Sequence, residues 1–227
     1  MGPLVDLHRR LFETQIARSA GQVRVAQRLR YLAYVEQKGY LDPALYPEQR
    51  ESDEDDAHAV HALLVSRATR RPLGSVRLIL PPHPFPVERL LAPGVLEGVP
   101  GFERPHAAEI SRLCMLQDLP AVLGLGEEEK RRFTSEVELR SALQLAIAGV
   151  LRGVVGLTRE NGIHFWCAMM GRPVLRRLAR FGVRFNALGP PIRHFGVKQP
   201  VTAPVEELLD GMRKERPDVW ELVTQPL

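Results

Sequence analysis

The stretch AAEISRLCML, residues 107–116, places Glu109, Ser111 and Arg112 inside a run that otherwise reads as a buried strand. A charge on a buried strand is costly unless it is paired. Candidate partners stand upstream in a fixed order: Arg30-x-x-x-Tyr34, then Glu51-x-Asp53-x-x-Asp56, then Gly74-x-x-Arg77-Leu78. Each motif alone is ordinary. Acids and arginines that return inside strand-like segments are less so, because paired charges within a sheet form either an internal electrostatic clamp or an active site.

Upstream of residues 107–116, Ala57–Ala68 and Ser75–Leu80 read as two strands of a hairpin around a turn at Thr69–Gly74. Residues 81–105 form a Pro-rich connection long enough to be functional or draped over a surface. Tyr40–Asp56 is an acid-rich loop. Val23–Gln37 is predicted as a helix with Val25, Leu29, Leu32 and Val35 at helical spacing, stopped by Gly39. Arg30 and Tyr34 share one face of it. Leu4–Ile16 reads as a first amphipathic helix, broken by Gly21, within an N-terminal helical extension over residues 1–20.

Downstream, Leu119–Arg132 is irregular and Ser135–Asn161 a long helix. His164–Met170 reads as a strand and Arg172–Arg180 as a short helix. Val183–Leu188 and Ile192–Val201 read as two further strands. Residues 204–227 hold a terminal helix, Pro204–Lys214, and a frayed tail after Pro217. An antiparallel meander followed by strand, helix, strand and helix predicts one α/β (α+β) domain over residues 1–227, with a mixed sheet and helices on both faces.

The bulk properties set bounds. The chain has 227 residues, 44% hydrophobic and 26% charged, and a net charge of +4. That suits one sizeable core. A mildly basic surface can face nucleic acid, a membrane or an acidic protein. The basic segments lack interleaved aromatics and match no helix-turn-helix or RNA-binding signature, which ranks nucleic acid last. Cys114 and Cys167 sit in apolar runs without partners at metal-ligand spacing, so they read as buried thiols in a reducing compartment. His58-x-x-His61 places its two rings on opposite strand faces, so no metal site is expected. The N-terminus lacks a cleavable apolar core. The apolar run around Ala142–Leu157 reads as too short and too polar to span a bilayer. A cytoplasmic protein is expected.

The element order resembles the GNAT acyltransferase fold. The set Arg30/Tyr34, Glu51-x-Asp53-x-x-Asp56, Gly74-x-x-Arg77-Leu78 and Glu109-x-Ser111-Arg112 resembles the N-acyl-homoserine lactone synthase superfamily over roughly residues 20–200. Within it, the chain looks most like the long-chain N-acyl amino acid synthases and the acyltransferases associated with PEP-CTERM/exosortase systems. The resemblance implies a mostly antiparallel mixed sheet with a splayed strand pair, here Ala107–Leu116 and His164–Met170. It implies a fatty acyl group carried on the phosphopantetheine of acyl carrier protein, or on coenzyme A, and transferred to an amine. The lactone synthases have Trp where this chain has Tyr40, which favours a plain amino acid over S-adenosylmethionine. Gln117-Asp118-Leu119-Pro120 does not fit the coenzyme A pyrophosphate loop, and Gly124-Leu125-Gly126 runs into three glutamates. Both observations favour acyl carrier protein as donor. A lactone synthase and a non-catalytic sensor of acylated carrier protein or lipid are the alternatives.

Amide formation from a thioester needs a neutral amine, hence a base. Glu51 is the first candidate and Glu109 the second. Arg30 or Arg112 can hold an acceptor carboxylate by a bidentate contact. Asp53, Asp56 and Arg77 read either as substrate contacts or as an internal ion-pair network ordering the acidic loop. Tyr34, Tyr40 and His61 are candidate acceptor-pocket residues. Ser111 is expected on the opposite strand face from Arg112, beside the acyl chain or as a plain buried hydroxyl. Backbone N–H groups near Leu113, Cys114 and Met115 are candidates for the oxyanion hole, and Trp166 for the acyl tunnel. Arg131 and Arg132, with Arg172, Arg176 and Arg180 on one helix face, offer either a docking surface for acidic carrier protein or a solvated face.

Overall fold

The computed structural model describes residues 2–116 and 136–227. Its elements in chain order are α1 (Pro3–Leu11), β1 (Phe12–Ile16), α2 (Ala20–Tyr31), β2 (Ala59–Ser66), β3 (Pro72–Ile79), β4 (Ala107–Met115) and α3 (Glu136–Glu160). There follow β5 (Phe165–Gly171), α4 (Arg172–Ala179), β6 (Asn186–Ala187), β7 (Ile192–Arg193), β8 (Val197–Pro204), α5 (Val205–Glu215) and α6 (Pro217–Thr224). The sheet order is β1-β2-β3-β4-β5-β8-β6, with β7 also pairing β8. Only β4 and β5 are parallel. A parallel pair needs a long crossover, and α3 lies on that connection.

The β4–β5 pairing runs from Ala107↔Phe165 to Ile110↔Ala168 and stops there, although the strands continue to Met115 and Gly171. The two strands therefore split along their second halves, as expected from the resemblance. On one face of the sheet, α3, α5 and α6 bury Leu64, Val76, Leu78, Ala108, Ile110, Trp166 and Val201. On the other face, α2 covers Leu63, Val65 and Cys114. The Pro-rich connection drapes over the same side and buries Phe85, Val87 and Leu96 against Ile79, Phe165 and Cys167.

Close packing of α3 depends on Gly149. A Cβ there would stand 2.5 Å from His8 Nε2 and 2.6 Å from Leu64 Cδ1. α3 also corrects a reading. Ala142–Glu160 is long and apolar enough by composition to cross a membrane, but 72% of it is buried inside the fold, as suits a core helix.

Several expected boundaries move for physical reasons. The first helix ends at Leu11, and Phe12–Ile16 joins the sheet as an edge strand opposite Ser66–Ala62. The pairing with β2 and the Thr14 hydroxyl bond to the Gly149 carbonyl, 2.9 Å, outweigh a locally ambiguous pattern. Gly21 does not break a helix. It lies in the first turn of α2, which starts at a Ser19/Gln22 capping box. The turn at Leu32–Glu36 widens to a π-helix. The strand predicted over 192–201 divides into β7 and β8 around a tip with Phe195 (φ 47°) and Gly196 (φ 89°). The expected strand over 183–188 shrinks to Asn186–Ala187. The tail after Pro217 is helix α6, because Val219, Leu222 and Val223 bury an apolar face.

Candidate active site at the strand split

The register His61↔Arg77↔Ser111 lines three polar residues across β2, β3 and β4 on the α2 side of the sheet. Arg77 is 1% exposed and needs counter-charges. The acidic loop supplies them. Asp53 caps the turn Glu54–His58, and Asp56 accepts the Asp53 N–H in return. This holds both carboxylates toward the sheet.

The result is a closed ring of alternating charge. Arg30 donates from Nε to Glu51 and from Nη1 and Nη2 to Asp56, the latter at 2.6 and 3.0 Å. Glu51 accepts from Arg112 Nε at 3.0 Å, and Arg112 Nη2 donates to Asp53 at 2.8 Å. Asp53 is paired with Arg77, whose Nη1 lies 3.2 Å from Asp56, and Asp56 returns to Arg30. Three arginines and three carboxylates thus balance. Burial raises Asp56, but the Arg30 hydrogen bonds and charge overcome it and bring its carboxyl down to about 2. Asp53 is held below the ordinary range in the same way, chiefly by Arg77 against burial. His61 lies beside the ring with Nε2 3.5 Å from Asp56. Burial and Arg30 lower it to about 4, so it is neutral, and neither ring nitrogen has a hydrogen-bond partner.

Arg112 owes its place to a β-bulge. Between the pairs Arg77↔Ser111 and Ser75↔Cys114, one β3 residue faces two β4 residues, and Arg112 has φ 50°. A bulge re-aims side chains and breaks alternation. Ser111 and Arg112 therefore both join the charged side, with Ser111 accepting from Arg77 Nε at 2.9 Å. This corrects the expectation that they face apart. The Tyr34 hydroxyl donates to the Leu113 carbonyl at 2.8 Å and pins the bulge to α2.

The ring also redistributes the expected roles. All three guanidinium nitrogens of Arg30 are engaged and the side chain is 1% exposed, so holding an acceptor carboxylate would break the ring. Arg112, 26% exposed, is the ring arginine that meets the opening. Both Glu51 oxygens are engaged by arginines and its side chain is 0% exposed. Glu109 is buried beneath the Pro-rich connection, where Val87 N–H donates to it at 2.8 Å. Burial outweighs that bond and lifts its carboxyl to about 8.

Across the sheet, the split borders a narrow apolar cavity of about 20 Å³. Ile110 and Leu113 of β4, Trp166 and Met170 of β5, Val154 and Val155 of α3, and Leu209 and Met212 of α5 line it. Trp166 is fixed by its Nε1–H bond to Thr158, 2.9 Å. Cys114 lies on the α2 side instead, 3.3 Å from the Ser75 hydroxyl, and burial raises its thiol. The Leu116 N–H donates to the Leu73 carbonyl, so strand alternation turns the Met115 N–H the other way, toward the split.

Arg172 and Arg176 on α4 and Arg180 at its C-cap are exposed. Arg131, Arg132 and the segments Gln117–Pro120 and Gly124–Glu129 lie outside the described residues. Tyr40 is 45% exposed and stands near two cations that the sequence reading passed over, Lys38 and Lys198. Helical spacing from Tyr34 could have found Lys38. No local signal points to Lys198.

Comparison with known proteins places this geometry. The model of the acetyltransferase (GNAT) domain matches residues 29–119. No curated protein sequence matches the chain. Among solved structures, TofI in a ternary complex with an inhibitor and MTA is similar at 18% identity and a TM-score of 0.62, over 91% of this chain and 99% of that one. The CoA-dependent acyl-homoserine lactone synthase BjaI, with SAM and isopentyl-CoA, is similar at 19% identity and 0.60, over 92% and 89%. FeeM, an N-acyl amino acid synthase from uncultured soil microbes, is similar at 15% identity and 0.56, over 90% and 97%. The chain has the GNAT-like α/β fold, with a mixed central sheet flanked by helices.

Proposed function

We propose that this protein is an N-acyltransferase that moves a fatty acyl group from a thioester to the amine of a small acceptor bearing a carboxylate. One observation carries the reading. The β4–β5 split has an apolar cavity on one face and a balanced arginine–carboxylate ring on the other. The wholly apolar lining suits an acyl chain that enters as its side chains part, and the ring side suits a polar amine.

In the reaction, the acceptor nitrogen attacks the thioester carbonyl carbon. The C–S bond breaks, the thiol leaves, and the amine proton goes to a base. Glu51 serves as the base once Arg112 releases it to a water at the opening, with Glu109 as the buried second candidate. Arg112 orients the acceptor carboxylate, and Tyr40 borders it. Arg30, Asp53, Asp56 and Arg77 hold the ring, while Tyr34 and Ser111 hold the bulge. The Met115 N–H polarises the carbonyl, while the Cys114 N–H faces β3 by the same alternation and takes no part. Acyl carrier protein is the favoured donor, docking on Arg172 and Arg176 of α4 and Arg180 at its C-cap. An amino acid is the favoured acceptor. The association with exosortase systems rests on the motif resemblance.

A second reading, S-adenosylmethionine as acceptor and an acyl-homoserine lactone as product, has an observation of its own: likeness to BjaI, solved with SAM. BjaI, being CoA-dependent, also keeps acyl-CoA as a possible donor for this chain. The deciding experiment follows thiol release from long-chain acyl carrier protein and acyl-CoA, with each amino acid and with S-adenosylmethionine, and identifies products by mass spectrometry. An N-acyl amino acid supports the main reading and a lactone the second. Tight carrier-protein binding without turnover overturns both and leaves a sensor.

A further inference from the structure

Two lysines converge on the mouth of the split from distant parts of the chain. Lys38 lies just beyond the π-helical end of α2, with Nζ 4.8 Å from the Tyr34 ring centroid and 5.7 Å from that of Tyr40. Lys198 is in β8, opposite Gly171 at the end of β5, with Nζ 5.9 Å from the Tyr40 ring. The two ammonium groups therefore share one half-exposed aromatic ring between the diverging arms of β4 and β5. The chain has 31 lysines and arginines, but only four are lysines: 38, 130, 198 and 214.

Among the described residues, neither Lys38 nor Lys198 pairs with a carboxylate. Further positive charge gathers there. Burial, then Lys198 and Arg177, lower Lys38. Burial, then Arg112 and Lys198, lower His194 at the β7–β8 tip. The arginine ring is already balanced and offers no spare anion. Like charges gathered with no counter-ion among the described residues are unfavourable, and such arrangements concentrate at functional sites. Cation–π contact with Tyr40 holds the ammonium groups in place but cannot neutralise them.

We propose that Lys38 and Lys198, on the two sides of Tyr40, form an anion-binding subsite that takes a carboxylate or phosphate group of a bound substrate. The inference rests on the acyl-transfer reading for the identity of that substrate. Two sources share the chemistry: a carboxylate or phosphate on the acceptor, or the phosphodiester of the donor's phosphopantetheine.

The test has a binding arm and a kinetic arm. Reductive ¹³C-methylation labels all four lysines, and inorganic phosphate is titrated while their NMR signals are followed. Saturable shifts at Lys38 and Lys198, with Lys214 unmoved, support the subsite. Equal small shifts at every lysine overturn it. The kinetic arm compares wild type with K38Q/K198Q and with K38R/K198R, whose folding is checked by circular dichroism. The donors are acyl-phosphopantetheine and acyl-pantetheine, and the acceptors are an amino acid and its amide. Loss of a charge-assisted contact is expected to raise KM on the order of tenfold for the anionic partner alone, with recovery in the arginine variant. An effect that depends on the donor's phosphate assigns the donor. One that depends on the acceptor's carboxylate assigns the acceptor. Unchanged kinetics in an active enzyme overturn the substrate role. Saturable phosphate binding in a protein with no acyl transfer leaves the subsite standing and fails the acyl-transfer reading instead.

Discussion

Replacing His8 with Met should blunt the protein's sensitivity to acid. His8 is 0% exposed, packed against Phe12 and Gly149, and neither ring nitrogen has a hydrogen-bond partner. Burial first, then the charges of Arg152, Arg67 and Arg9, lower its pKa from 6.5 to about 4. Above pH 6.5 the ring is neutral in both folded and unfolded chains, and the proton contributes nothing. As pH falls from 6.5 to 4, the unfolded chain binds a proton that the folded chain refuses, so stability falls. Below about 4 both forms are protonated and the loss levels off. A shift of this size corresponds to about 3 kcal/mol in full and about 2 kcal/mol by pH 5. Met is unbranched and adapts to the space a ring leaves. Urea unfolding of wild type and His8→Met at pH 7.5, 6 and 5 measures the difference. The variant should lose about 2 kcal/mol less than wild type between pH 7.5 and 5. Equal losses in the two proteins would refute the reasoning, because His61, whose pKa is also near 4, stays in both.

Other substitutions probe the ring, the cavity and the buried acid. Arg77→Met leaves Asp53 and Asp56 with one arginine fewer in a buried setting, and should cost roughly 3–5 kcal/mol by urea unfolding at pH 7; a change below 1 kcal/mol would mean the ring is not cooperative. Leu209→Trp fills the apolar cavity, and should abolish thiol release from long-chain donors while short-chain donors still react; equal loss for both would remove the cavity from the acyl path. Glu109→Gln removes a group whose folded pKa, about 8, lies above its ordinary 4.5. The wild-type carboxyl therefore loses stability as pH rises from 4.5 to 8, and the variant's stability should stay flatter over that range, as read by thermal unfolding.

The sequence by itself determined much of the fold. Short apolar runs within 59–66, 72–79 and 107–115, and the long apolar helix before Phe165, are local signals, because run length and helical spacing are written into consecutive residues. The polar members of the site were legible for a related reason: Arg77, Glu109 and Arg112 stand out because charge inside a strand demands a partner. Tertiary structure alone decided how they pair. The bulge at Arg112 depends on a left-handed backbone residue and a one-residue excess against β3, which the residue pattern does not encode. That bulge turns Arg112 beside Ser111, closes the ring through Glu51 and Asp53, and leaves Arg30 sealed while Arg112 faces the opening. The edge strand Phe12–Ile16 and helix Pro217–Thr224 formed against weak local patterns because packing on β2 and α3 gave them somewhere to bury. Lys38 and Lys198 meet over Tyr40 only because α2 and β8 end at the same mouth, and side chains brought together from distant segments leave no spacing in the chain to read.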